Sequence, residues 1–144
     1  YVDSPSPGEV RVTILSSSGD GTASDALLNN VETRLSSEDV RPITDHVSVE
    51  SAEIIPYVIS AVVHCYPGPS PAPVFEAVQA KITNYISTQR RLGRDITLSG
   101  IYGALHQPGV QRIDLLFPTQ NIVIGKRQAG HCTALDISIG ESDV

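Results

Sequence analysis

"HVSVESAEIIPYVISAVVHCYPGPSPAP", His46 to Pro73, is the longest extended-looking run in the chain, and the division of the fold turns on its reading. Val47, Val49 and Ser51 alternate in its first part, and Tyr57, Ile59, Ala61 and Val63 in its second. That is the period of two expected when successive side chains leave a strand on opposite faces. Pro56 lies between the two parts. A proline has no amide to give to a ladder, so it marks an edge, a bulge or a crossing from one sheet to another. The reading taken is a boundary: a first α/β subdomain over residues 9–56 and a second α+β subdomain over residues 57–144.

Toward the amino end, "YVDSPSPGE" is rich in Ser and Pro and lacks apolar periodicity, which reads as a linker over residues 1–8. "EVRVTILS", Glu9 to Ser16, then sets Val10, Val12 and Ile14 on one face and Glu9, Arg11 and Thr13 on the other, a half-buried strand. "SSSGDGTASDALL", Ser16 to Leu28, follows. Gly19 and Gly21 permit positive φ, and Thr22 with Asp25 forms an approximate capping box for the helix that carries Leu28, Val31 and Leu35 and stops at Pro42. The same turn is the one candidate phosphate cradle. It has Thr22, Ala23 and Ser24 where a phosphate loop needs its lysine, it lacks the third glycine of a dinucleotide fingerprint, and it lacks the acidic series of a calcium loop.

Toward the carboxyl end, Ser70 as N-cap, Pro71 at the first helical position and Gly93 beyond the last turn punctuate a helix with the stripe Val74, Val78, Ile82, Tyr85 and Ile86. Arg90 and Arg91 fall in its last turn, where cations suit the helix dipole; with Arg94 they also form a candidate site for an anionic partner. A shorter helix is predicted from Thr97, with Ile101 and Leu105 on one face and two interior glycines, Gly100 and Gly103, whose expected reason is close packing against the helix. Strands are expected at "VQRIDLLFP", "NIVIG" and "CTALDISIG". The order gives an α+β fold of two small subdomains, each a mixed or antiparallel sheet covered by one or two helices.

Composition bounds the function. The chain has 144 residues, 40% of them hydrophobic, enough for one compact domain or two subdomains sharing a core. A net charge of −6 argues against a nucleic-acid surface, which needs clustered Lys and Arg. No segment approaches the roughly 18 consecutive apolar residues of a membrane span, and none has the order of a signal peptide. The sequence begins at Tyr1 and has no methionine, which is expected of a piece excised from a longer protein.

The doublets His64-Cys65 and His131-Cys132 invite a zinc site. On strands, however, adjacent side chains face opposite ways, so only one member of each doublet reaches a common metal. Cys65 shares parity with Ala61 and Val63 and reads as a small buried hydrophobe; Cys132 lies with Ala134 and Asp136, and a disulfide between the two stays open. His46 and the remaining histidines have no catalytic signature around them, and His106 suits the end of the short helix. No nucleophile and base can be paired, so no enzyme and no cofactor is expected.

Several stretches together resemble the carboxyl-terminal portion of the baseplate J-like family of contractile phage tails. They are "VRVTILSSSGDGTASDALLNNVETRLSSEDVRPITDHVSVESAEIIPY", "YPGP", "RRLGRDITLSGIYGALHQPGVQR" and "HCTALDISIGE", within about residues 10 to 141. The resemblance implies a structural wedge component of a tail baseplate or related injection machine, in contact with copies of itself and with other wedge proteins. It implies no catalytic residues, and a location in the bacterial cytoplasm during assembly and then in the virion, which disfavours a Cys65–Cys132 disulfide. The contact elements expected are the carboxyl-terminal strand and the segment around Pro56. The alternative is a small-ligand-binding α+β module that uses the Gly19–Gly21 turn.

Overall fold

Two three-stranded sheets and three helices make up the computed structural model, which describes residues 1–36, 46–68 and 70–142. The first sheet joins β1 (Val2–Asp3), β2 (Glu9–Ile14) and β3 (His46–Ser51) in that order. β1 is antiparallel to β2, and β3 is parallel to β2, with α1 (Asp25–Leu35) in the connection between them. The second sheet has the order β5 (Val110–Phe117), β4 (Glu53–Cys65), β6 (Gln128–Ile139). β4 is its centre, antiparallel to β5 and parallel to β6, while α2 (Ala72–Gln89) and α3 (Leu98–Leu105) lie between β4 and β5 in the chain. This is the expected α+β architecture of two mixed sheets with their helices.

Local chemistry explains where the helices begin. The Ser24 hydroxyl accepts the Leu27 amide at 3.2 Å and caps α1. The cap therefore falls two residues after Thr22, whose own amide donates to Asp20 Oδ1 at 2.9 Å in the turn. α1 then runs to Leu35, and its expected end at Pro42 lies outside the described residues. α2 starts one residue later than its punctuation predicts: Pro71 is the cap residue, and Ser70 Oγ accepts the Ala72 amide at 3.3 Å. Thr97 caps α3 as expected, its hydroxyl accepting the Gly100 amide at 3.1 Å. Gly100 has its reason too, because a Cβ there would meet the Tyr85 ring at 2.7 Å; around Gly103 there is open space.

The core lies on one face of the second sheet. Tyr57, Ile59, Ala61, Val63 and Cys65 of β4 alternate into it, against Val78 and Ile82 of α2, Ile101 and Leu105 of α3, Ile96, Val110 and Ile137. β4 thus keeps the period-2 pattern read from sequence. β2 keeps it less well: Val10, Val12 and Ile14 are all half-buried, and the most buried residue of the strand is Thr13, at 3% exposure. Both faces of β2 are partly covered, so polarity alone does not pick its inner side.

Pro56 sits inside β4, opposite His131 in the parallel ladder with β6. The ladder with β5 runs only from Ser60 to Cys65, so β4 has a partner on one side at Pro56, and the register shifts between Tyr57 and Val58. Edge and bulge are the two devices that admit a proline to a strand. The change of sheet comes earlier, at the single buried residue Ala52 between β3 and β4. Its amide bonds back to Ile14 O at 2.7 Å, while the next amide, Glu53, bonds forward to Arg127 O at 3.0 Å. Residues 2–3, within the stretch read as a linker, pair with β2, and "NIVIG" forms one isolated bridge, Ile122 to Ile96, instead of a strand.

Candidate functional site

The Ser16–Leu28 segment is where a ligand would have to bind if the glycine turn were a cradle, and its geometry can be followed atom by atom. Gly19 and Gly21 both have positive φ, +60° and +103°. The backbone closes on itself through Ser16 N–H to Gly21 O at 2.8 Å and Gly21 N–H to Ser18 O at 3.3 Å. The Ser18 amide donates to Ser16 Oγ, the Thr22 amide to Asp20 Oδ1 and the Ala23 amide to Ser51 Oγ. The Ser18, Gly21, Thr22 and Ala23 amides, on which a phosphate nest would draw, are therefore committed inside the protein. At Gly21 space is committed as well. A Cβ on Gly21 would lie 2.6 Å from Leu15 Cδ1 and 3.1 Å from Ile54 Cδ1.

What the turn touches is the second sheet. Ile54 belongs to β4, and Arg90, just past α2, donates through Nη2 to Gly19 O. His131 of β6 lies near enough for its charge to help hold the Asp20 carboxyl below its usual range, after the larger effect of the Thr22 hydrogen bonds. Arg90 was expected to serve the dipole of its own helix; it spans instead to the other sheet. Asp25, the other half of the expected capping box, is the first residue of α1. Of the residues singled out in the sequence, Gly19 and Gly21 thus meet Arg90 and Ile54 as a joint between sheets, while Thr22 bonds within the turn and Asp25 opens α1.

A second cluster lies at the same junction and was not legible as one. A cleft of about 510 Å³ is lined by Tyr1, Asp3, Arg11, Glu53, Lys126 and Arg127, among others. Its charges answer one another. Arg11 Nε donates to Asp3 Oδ1 at 2.9 Å and Arg11 Nη2 to Asp3 Oδ2, which holds the Asp3 carboxyl below and the guanidinium above their ordinary values. Glu50 Oε1 is 3.4 Å from Arg11 Nε and 2.6 Å from Arg127 Nη2, so one carboxylate of the first sheet bridges to the β6 approach in the second. Lys126 Nζ stands 6.0 Å from the centre of the Tyr1 ring. The signal was faint because a strand's outward face carries solvated charges by default; Glu50 and Arg11 become partners only through the parallel register that sets Thr13 beside Glu50 and Arg11 beside Ser48.

The zinc and disulfide readings fail on distance. Cys132 is opposite Tyr57 and His131 opposite Pro56, while Cys65 is eight positions farther along β4. At about 3.3 Å per residue the doublets stand roughly 26 Å apart, against the ~7 Å limit between disulfide Cα atoms. Both cysteines are free. Cys65 is buried in the core as expected, and desolvation raises the pKa of Cys132, whose thiol donates to Ala134 O at 3.2 Å. Cys132 therefore lacks the depressed pKa of a reactive thiol. No group of three metal ligands exists among the described residues. His106 is the C-cap of α3.

The sequence matches two family descriptions in tandem. Residues 1–51 match the Baseplate J-like central domain and residues 57–138 the Baseplate J-like protein C-terminal domain. A curated relative, Baseplate protein J of Escherichia phage P2, is 47% identical over 142 residues, which cover 99% of this chain and 47% of that protein. The chain spans about half the length of that relative.

Proposed function

The chain belongs to the baseplate J-like family, and from that premise we propose that it is a non-catalytic structural element of a contractile phage tail baseplate, assembled into the wedge by protein–protein contacts. The observation that carries this reading is the 47% identity to the phage P2 protein across nearly the whole of this chain. The matched span takes in both sheets. The site geometry supports it from the other side, since the glycine turn spends its Gly21, Thr22 and Ala23 amides, and the space at Gly21, on internal contacts. The virion tail is the place of action, after assembly in the host cytoplasm, and the partners are further copies of the chain and other wedge proteins.

Two features suit such contacts. β6 is an edge strand of 12 residues whose far side has no partner strand among the described residues, a template for strand addition. Leu116 and Phe117 at the end of β5 and Val123 beyond it are 52%, 56% and 77% exposed, large apolar side chains of the kind that interfaces cover. The test is incorporation. In phage particles carrying Leu116→Ser with Phe117→Ser in the protein that contains this chain, the purified protein should fold normally and baseplate incorporation should fall several-fold, read by cryo-electron microscopy or by quantitative blotting of particles. Particles that assemble at the wild-type level would exclude this apolar face as a contact. Particles whose baseplates lack the chain altogether, while the wild-type protein is expressed, would overturn the structural role itself.

A further inference from the structure

His64 occupies a position that nothing above uses. It is on β4 facing away from the core, yet it is only 9% exposed, because the chain beyond β6 folds over it. Gly140 lies flat against the ring: a Cβ there would be 2.4 Å from His64 Cε1. The Gly140 amide donates to Val63 O at 2.9 Å. His64 Nδ1 is 2.7 Å from Glu141 O, and Nε2 is 2.9 Å from Asp114 Oδ2 on β5. A backbone carbonyl and a carboxylate both accept, and a neutral imidazole has one N–H to give them. Only the imidazolium satisfies both contacts.

We propose that His64 is a protonation-dependent latch that fastens the segment after β6, residues 140–142, to the outer face of the second sheet. The titratable and charged groups facing the ring are Asp114 and Arg112 from β5, with Glu141 offering its backbone carbonyl from the segment itself. The Glu141 and Asp114 hydrogen bonds favour the charged ring, and desolvation and Arg112 oppose it; the balance lies above the ordinary histidine value. A group whose folded pKa is raised adds stability that is whole below its unfolded value, 6.5, and is lost as pH rises through the folded one. Losing the proton weakens the hold in either tautomer. With the proton on Nε2, the ring lone pair faces Glu141 O and that bond is gone. With it on Nδ1, the bond survives without its charge assistance, and Asp114 is released to solvent, where it is already 47% exposed.

The experiment is amide exchange at Gly140, whose bond to Val63 O reports docking of the segment, together with a ring-resonance titration of His64, both on the full 144-residue chain from about pH 5.5 to about pH 8.5. Protection factors remove the intrinsic pH dependence of exchange. In the wild type, Gly140 protection should fall on the order of threefold to tenfold through the His64 midpoint, which should lie above that of a free histidine. In His64→Gln, whose amide can donate but cannot take up a proton, protection should be flat with pH. Asp114→Asn changes only a half-exposed side chain, and because its amide can donate to Nε2 of the neutral ring it should move the midpoint down and shrink the fall. Protection that is independent of pH in the wild type, a fall of equal size in His64→Gln, or a His64 midpoint at or below the free value would each overturn the latch.

Discussion

The two sheets share a layout and differ in what they bury. In each, a central strand has an antiparallel neighbour on one side and a parallel neighbour on the other. Around β4 this layout closes over large side chains that are fully buried, among them Ile59, Ile82, Ile101 and Leu105. Around β2 it does not: α1 has no buried residue among those described, and of β2 and β3 together only Thr13 and Val47 are buried. Burial of apolar area is the main favourable term in folding, so the second sheet with its helices holds itself together. The first is held in good part by the turn, the ion pairs and the short backbone passage that tie it to the second. The same topology thus serves once as a core and once as a platform docked on it.

That contrast is open to direct attack. Ile82→Ala and Ile101→Ala remove fully buried side chains and should each cost about 2–5 kcal/mol, read from the denaturant midpoint. Val12→Ala in the first sheet should cost about 1 kcal/mol or less, because its side chain is only half-buried. Equal costs in the two sheets would remove the asymmetry. Next in size is Gly21→Ala, which forces positive φ on a side-chain residue and drives its Cβ onto Leu15, for about 2–3 kcal/mol. Gly19→Ala, with the same sign of φ but open space, should cost about 1–2 kcal/mol, and the gap between them measures the packing of the turn against Ile54.

Smaller effects concern the joint alone. Arg90→Ala and Glu50→Gln cut half-exposed polar ties between the sheets, each worth about 1 kcal/mol or less. Their signature should be faster amide exchange in β2 and β3 with β4 unchanged; equal acceleration in both sheets would mean that they unfold as one unit. The smallest effect belongs to Asp3. Its carboxyl is held low mainly by its hydrogen bond to Arg11, so its contribution is present above the unfolded value of 3.8 and is lost as pH falls through the folded one. Asp3→Asn should flatten the acid limb of the melting curve without altering stability at neutral pH by more than a small amount.

The sequence was most legible where one physical signal acted alone. β4 alternates because one of its faces is a core, and Thr97 caps α3 because a hydroxyl before a helix has a single use there. Reading left alternatives open, or chose the nearer one, where two signals met. Pro56 looked like a break because a central strand rejects proline, but β4 is central only from Ser60 onward, and its first half has an edge to spare. Arg90 and Arg91 looked like dipole partners because helix ends favour cations, yet the Gly19 carbonyl, 71 residues away in sequence, claims Arg90. The charged junction and the His64 contacts were illegible for the same reason: each joins residues whose proximity follows only from strand register and from where the chain turns after β6.

The passage at Ala52 sets how the two halves respond to load. β3 and β4 are one extended backbone that changes partners across a single residue, fastened backward to Ile14 and forward to Arg127 within two successive amides. A flexible tether would first straighten when pulled and would absorb the displacement. Here there is no slack to take up, so tension applied to the first sheet arrives at the centre of the second along the same chain. Along that direction the two sheets are joined by backbone with no spare length between them.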